Sequence, residues 1–299
     1  MYTIMGVTGK VGGAAARTLL AEGRQLRVVV RDRAKGERWA ARGCEIAVAD
    51  LDNADALAAA FRGAEAAFVM LPPIFDPSPG LPEAGALIAT LCEALKNGAP
   101  KRVVALSTIG ADAEQPNLLS QLGLLERSLS TLPLPVTFLR AAWFMENAAL
   151  DVADARDTGL IASYLQPLDR AVPMVATMDI GRRIAELLGE NWSGVRIEEI
   201  EAARRVTPNA IAAAFAKALG KPVKAAAVPR EKWETIFRGQ GMANPLPRMQ
   251  MLDGFNEGWI EFRDKGALAR KGAVSIDEVV AALVGDDGTS RRDAPPASR

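Results

Sequence analysis

The first twelve residues constrain this chain more than any other stretch. An apolar run, Tyr2 to Met5, leads into three glycines spaced by three: Gly6, Gly9 and Gly12. A helix-forming run, Ala14 to Ala21, follows. Strand, glycine turn and helix start, in that order, make a place where a dinucleotide pyrophosphate binds. The helix N-terminus there offers unpaired N–H groups and the positive end of its dipole. Gly6 suits the tight turn, Gly9 lets phosphate approach the backbone, and Gly12 permits close helix–strand contact. The spacing is GxxGxxG and not GxGxxG, so the reading rests on the motif's setting between a first strand and a first helix. A merely flexible turn is the alternative.

The next segment sharpens this reading. Gln25 to Val30 (QLRVVV) is a second strand, and Arg31-Asp32-Arg33-Ala34-Lys35 comes directly after it. The tip of that strand faces the adenosine ribose. An acidic residue there selects a free 2′-hydroxyl, and a basic one accommodates a 2′-phosphate. Arg31 comes first and Lys35 a turn later, so NADPH is expected over NADH. A solvated charge run is the competing reading, and Asp32 keeps it open.

Alternation continues. A helix is expected near Gly36–Arg42, then strand Glu45–Ala49, helix Ala54–Phe61 and a buried strand, Ala66–Leu71. Pro72-Pro73 open a loop to Pro82, and helix Ala84–Asn97, strand Arg102–Ser107, helix Gln121–Leu132 and strand Val136–Arg140 follow. Continuous apolar strands between helices imply a doubly wound parallel sheet, an α/β Rossmann architecture whose ligands sit beyond the carboxyl ends of the strands. The later chain is less regular: a possible hairpin of Leu160–Leu165 with Ala171–Met174, helix Asp179–Leu188, strand Val195–Ala202, a helix capped by Thr207-Pro208, and strand Val223–Val228. Residues 231–283 read as helical. The expected division is a cofactor-binding domain at 1–150, a smaller, mostly helical substrate-covering region at 151–285 packed on it, and a disordered polar tail at 286–299.

Composition excludes several function classes. Among 299 residues, 36 Lys and Arg balance 36 Asp and Glu, so nothing draws the chain to nucleic acid or an anionic membrane. No run is apolar for the ~18 residues of a membrane span. The N-terminus reads as a core strand and not as a signal peptide, so a cytoplasmic location is expected. Cys44 and Cys92 lie far apart in apolar contexts and read as reduced core residues, not metal ligands. There is no histidine. A His base, a Ser–His pair and His-ligated metal are thereby removed. The tyrosines are Tyr2, in the first strand, and Tyr164. A proton donor is therefore Tyr164, another side chain, water or the substrate.

Taken together, GVTGKVGG, VVVRDRAK, AFVMLPP, VALSTIGA, TFLRAAWFMEN, VATMDIG and RVTPNAIAAAFAKALGKPV resemble the NmrA-like branch of the atypical short-chain dehydrogenase/reductases. The resemblance spans nearly the whole chain apart from the tail. That family includes NADPH-dependent quinone reductases, flavin-free azo-dye reductases and redox-sensing regulators that bind NADP(H) without turnover; the chain is most similar to the first two. The resemblance implies that Gly6, Thr8, Gly9, Lys10, Val11 and Gly12 wrap the pyrophosphate and that Arg31 and Lys35 hold the 2′-phosphate. It places Asp50 and Leu51 near the adenine, Leu71 and Pro72 along the ribose, and Ala141, Ala142, Trp143 and Phe144 near the nicotinamide.

The chain also departs from that pattern. The wider superfamily uses a Tyr-x-x-x-Lys pair, and here Tyr164 is followed four residues later by Leu168. The lysine that many relatives keep before the helix leading to the sixth strand falls at Gln121 or Leu122. Gln121 can donate a hydrogen bond but not a proton. Ser107 and Thr108 end the fifth strand, where the superfamily places a substrate-orienting hydroxyl; holding the loop backbone is the alternative. With one dinucleotide motif and no flavodoxin-like loop, direct hydride transfer from NADPH without flavin is expected. Quinones and the quinone-hydrazone tautomers of hydroxy-azo dyes suit such a site, because the developing oxyanion spreads into a ring. A small aromatic substrate needs an apolar slot, for which Ile74, Phe75, Trp143, Phe144, Met145, Met174, Trp233 and Phe237 are candidates, as core packing is for each alone. The rival is an NADP(H)-sensing regulator; an isomerase lacks a visible acid–base pair. The protein is expected as a monomer or homodimer.

Overall fold

The computed structural model describes residues 1–290. Its frame is an eight-stranded sheet in which every pairing is parallel. The first half supplies β1 (Tyr2–Ile4), α1 (Lys10–Ala21), β2 (Leu26–Val30), α2 (Glu37–Ala40), β3 (Glu45–Val48), α3 (Ala54–Phe61), β4 (Ala66–Val69), α4 (Pro82–Gly98), β5 (Val103–Thr108), α5 (Ser120–Leu129) and β6 (Val136–Ala141). After β6 come a two-residue strand, β7 (Trp143–Phe144), then α6 (Val152–Asp157), β8 (Leu160–Ser163), β9 (Met174–Val175), α7 (Thr177–Gly189), β10 (Val195–Ala202), α8 (Pro208–Leu219) and β11 (Lys224–Ala227). The chain closes with α9 (Trp233–Gly239), α10 (Leu246–Glu257), β12 (Arg270–Gly272) and α11 (Ile276–Ser290).

Strand order is β12-β10-β6-β5-β4-β1-β2-β3. The chain therefore reverses direction across the sheet between β1 and β4, and a crevice opens at their carboxyl ends. Helices α1 and α7 pack on one face with a core that includes Ile4, Val28, Phe68 and Leu139. Helices α3, α4 and α5 cover the other, around Phe61, Val69, Leu95 and Phe138. Local chemistry sets several boundaries. Asn53 caps α3 by accepting the Ala56 N–H at 3.0 Å. Thr207 caps α8 through the Ala210 N–H at 2.9 Å, with Pro208 in its first turn and Gly220 ending it at φ +67°.

The later chain differs from its sequence reading in three ways. First, no hairpin joins Leu160–Leu165 to Ala171–Met174. β8 pairs in parallel with β11, and β9 pairs in parallel with β7. An apolar run signals a strand but does not name its partner. Second, residues 231–283 are not all helical, since β12 adds an edge strand beside β10. Third, the sheet does not stop near residue 150: α7, β10 and β12 extend the same layers. The elements outside that sheet are chiefly β8 and β11, which form a two-stranded sheet of their own, with α9 and α10. Helix α11 runs through Ser290, into the segment expected to be disordered. Residues 291–299 of that segment lie outside the described residues. Among the described residues no helix is long and apolar enough to cross a membrane.

Candidate functional site

The turn between β1 and α1 is shaped around an empty approach to its backbone. Gly6 adopts φ +67°, in the left-handed region, and a Cβ there would come 2.5 Å from the Met70 sulfur. Gly12 lies under the turn, where a Cβ would sit 2.5 Å from the Gly6 carbonyl oxygen and 2.6 Å from that of Met5. Gly9 is different. A Cβ on it would touch only the Gly6 oxygen, at an ordinary 3.4 Å, so the protein itself does not demand glycine there. Gly9 is the N-cap of α1 and no side chain caps that helix. Its first N–H groups are free to meet an anion. Thr8 and Lys10 are exposed beside them, while Val11 is buried beneath.

Beyond β2, the Asp32 side chain has a local partner. Its carboxylate accepts the Ala34 N–H at 2.9 Å and caps the 3-10 turn Arg33–Gly36. It is used locally. Arg31 and Lys35 are exposed and form no ion pair among the described residues. Sequence reasoning missed Arg38, whose Nη2 donates to the Val7 carbonyl at 3.3 Å and so ties α2 to the glycine turn. Arg17, Arg38 and Arg42 surround the buried Trp39 without a carboxylate among them. The edge carries more basic than acidic side chains, with Asp32 and Glu37 interleaved. Asp50 is exposed and accepts the Leu51 N–H at 2.7 Å, Leu71 is buried, and Pro72 is half-buried at the end of β4.

The opposite wall of the crevice follows β6. Trp143 and Phe144 are held by pairing with Met174 and Val175, and both keep part of their surface open. Ala142 is buried, its N–H bonded to the Ile200 carbonyl at 3.0 Å. Helix α10 packs against the segments that follow β5 and β6. Its last turn places Phe255 edge-on to Trp143 at 5.3 Å, and at its first turn the Pro247 carbonyl accepts the Leu118 N–H at 2.9 Å. The loop after β4 is clamped to the segment just before this helix. Asp76 accepts the Ala243 and Asn244 N–H groups, both at 2.7 Å. Phe75 stands exposed on that loop, 63 % accessible.

Four proposed slot residues do not line it. Met145, Met174, Trp233 and Phe237 have at most 2 % of their surface exposed and belong to the core beneath the cap. Their bulk and apolarity pointed to a pocket, but the same properties drive full burial. Phe75, Trp143 and Phe144 keep accessible surface.

Two polar candidates are also committed elsewhere. The Ser107 hydroxyl, 2 % exposed, donates to Glu126 Oε1 at 2.5 Å, so it neither faces the crevice nor holds the loop backbone. Gln121 is buried, and its Nε2 donates to the Ile74 and Leu118 carbonyls, both at 3.0 Å. It anchors the loop after β4 from below. Tyr164 is half-buried, with its ring 5.1 Å from that of Phe237 and 5.9 Å from that of Trp233. Burial pushes its phenol above the usual tyrosine range, so it stays protonated at neutral pH. Gln240, Arg248 and Asp151 are the polar groups around it.

A family model for the NmrA-like family matches residues 2–262. The chain belongs to that family. An NAD(P)H azoreductase of Xenophilus azovorans is 26 % identical over 259 residues, 86 % of this chain and 85 % of that protein. The structure of an NADPH-dependent quinone oxidoreductase of Escherichia coli, complexed with NADPH, superposes with a TM-score of 0.78. It has 21 % identity over 95 % of this chain and 99 % of that one. A triphenylmethane reductase of Citrobacter sp., complexed with NADP(H), gives 0.77 with 20 % identity over 94 % and 99 %. Both carry the same fold.

In this NmrA-like chain no group of three His, Cys, Asp or Glu among the described residues could hold a metal ion. Cys44 and Cys92 are unpaired thiols whose pKa values burial pushes up. They are poor nucleophiles.

Proposed function

We propose that this NmrA-like protein is an NADPH-dependent reductase that passes hydride directly to quinones or to the quinone-hydrazone form of hydroxy-azo dyes, without a flavin. The observation that carries the reading is the open glycine turn with a predominantly basic edge beside it and an aromatic pair, Trp143 and Phe144, after β6. The donor set fits NADPH. Free N–H groups of α1 and the space above Gly9 suit a pyrophosphate, while Arg31 and Lys35, which no carboxylate neutralises, suit a 2′-phosphate. Asp50, Leu51, Leu71 and Pro72 lie along the adenosine half and Ala142, Trp143 and Phe144 along the nicotinamide half. The bound cofactor supplies a hydride.

The chain's own residues then do three things. The Asp76 clamp and the first turn of α10 hold the loops after β4 and β5 in place at the crevice. Phe75, Trp143 and Phe144 orient a flat ring by contact, which is most of what a good hydride acceptor needs. Tyr164 holds a proton at Oη. A reduced quinone oxygen needs one proton, and its delocalised charge makes the source undemanding. The azoreductase and quinone reductase relatives support this substrate range. The reading is tested by mixing purified protein with NADPH and a panel of quinones and hydroxy-azo dyes, with no flavin added, and following loss of NADPH absorbance. Consumption with at least one acceptor is expected. Tight NADPH binding with no turnover on any acceptor would leave the regulator reading in place.

A further inference from the structure

Arg248 is half-buried and stands over an aromatic ring without an acidic partner among the described residues. It stands in the first turn of α10, and its guanidinium carbon lies 4.4 Å from the Phe237 ring centroid. Among the described residues its side chain makes one long hydrogen bond, 3.8 Å from Nη1 to the Met242 sulfur. Neighbouring arginines behave otherwise: Arg230 holds Asp253 at 2.7 Å, Arg238 holds Glu234 at 3.0 Å, and Arg205 holds Glu261 at 2.6 Å. Desolvating a guanidinium without an anion or strong acceptor is costly, and the usual remedy is a counter-charge. The fold supplies none here. Burial works against its charge, and the phenol of Tyr164 is the titratable group that faces it.

Its position gives the missing charge a direction. The residues just before it, Ala243 and Asn244, are clamped to Asp76 of the loop after β4. Its neighbour Pro247 is bonded to Leu118 of the loop after β5. Tyr164 flanks the same Phe237 ring, 5.1 Å away. The guanidinium and the phenol thus meet at the Phe237 ring, on the segment tied to the loops after β4 and β5.

We infer that Arg248 is a specificity residue that receives a fixed negative charge on an aromatic acceptor. The preferred substrates are arene sulfonates or carboxylates, with the charged group on Arg248 and the ring beside Tyr164. This rests on the reductase reading, and it names the substrate class within it. A planar guanidinium meets a sulfonate or carboxylate with two N–H donors and stacks on an adjoining ring, which an ammonium cannot do as well.

The test compares an ortho-naphthoquinone with the same quinone carrying a ring sulfonate, each with NADPH, in wild type, Arg248→Met and Arg248→Lys. The ratio of kcat/KM, sulfonate over neutral quinone, is expected to fall at least about tenfold in Arg248→Met, chiefly through KM. Arg248→Lys should restore part of it. The wild-type KM for the sulfonate alone should rise with added salt. An unchanged ratio in Arg248→Met, with no salt effect in wild type, overturns the inference while leaving the reductase reading standing. If neither quinone is reduced, the reductase reading fails on its own, and quenching of tryptophan fluorescence by the two quinones decides the charge preference. Tighter binding of the sulfonate, lost in Arg248→Met, supports the inference; equal binding overturns it. Should Arg248→Met fail to fold, the wild-type salt series and Arg248→Lys still decide.

Discussion

Glu126 and Arg140 meet in a bidentate pair behind β5 and β6: Nε donates to Oε1 at 2.9 Å and Nη2 to Oε2 at 2.7 Å. Arg140 is 3 % exposed. Burial works against its charge, but the bonds to Glu126 and Asp112 outweigh it and hold the guanidinium firmly protonated. Ser107 adds a third donor to the same carboxylate. Removing Glu126 leaves the buried Arg140 with Asp112, whose side chain is 43 % exposed, as its counter-charge. Glu126→Ala is expected to cost roughly 3–5 kcal/mol in urea unfolding. Ser107→Ala should cost about 1.5 kcal/mol and leave turnover per folded molecule near wild type. Full stability with lost turnover in Ser107→Ala would return that hydroxyl to the active site.

Two glycines of the turn should separate fold from function. Gly12→Val forces a branched side chain onto the Gly6 and Met5 carbonyls, so it should destabilise by at least about 1–3 kcal/mol. Gly9→Val meets no protein atom closer than 3.4 Å at its Cβ and should unfold within about 1 kcal/mol of wild type. Its NADPH affinity by calorimetry should nevertheless drop at least about tenfold, or ~1.4 kcal/mol. Normal affinity in folded Gly9→Val would place the cofactor elsewhere.

Arg31 is free of carboxylates and Asp32 is turned into its own cap. Arg31→Ala should therefore weaken NADPH by about 1.5–3 kcal/mol through loss of a charge-assisted phosphate contact, and NADH far less. Equal losses for the two cofactors would show that Arg31 does not read the 2′-phosphate.

The Asp151 carboxyl is raised to about 6, first by burial and then by repulsion from Asp154. Its folded value exceeds its unfolded one, so the native state binds the proton more tightly. The stability this gives is complete below about pH 4 and is lost as the pH rises through 6. A shift from 3.8 to about 6 is worth at most ~3 kcal/mol, and partial solvent access cuts that to about 1–2. Asp151→Asn should gain that much at pH 8 and flatten the stability profile between pH 4 and 6. A thermal melt series across that range measures it, and parallel wild-type and variant curves would refute the assignment.

Tyr164→Phe should lower turnover by less than about tenfold, because a delocalised oxyanion needs little acid help. A positioned general acid contributes roughly a hundredfold or more. Abolished turnover with intact NADPH affinity would make Tyr164 the proton donor.

Through β6 the sequence alone determined the order of strands and helices, the parallel sheet and the place of the glycine turn. These follow from local rules: apolar runs of strand length, proline and glycine at boundaries, and the left-handed backbone that Gly6 adopts. Caps were legible for the same reason, as at Thr207-Pro208. Only the tertiary structure decided which strand pairs with which, and so replaced an expected hairpin with β7–β9 and β8–β11. It also sent Trp233, Phe237 and Met174 into the core and turned Ser107 toward Glu126. Finally, it brought Arg248 beside Tyr164 and Asp76 beneath Asn244. Each of these contacts joins residues far apart in the chain. A side chain's type states what partner it needs, but which distant residue meets that need is settled by how the layers pack.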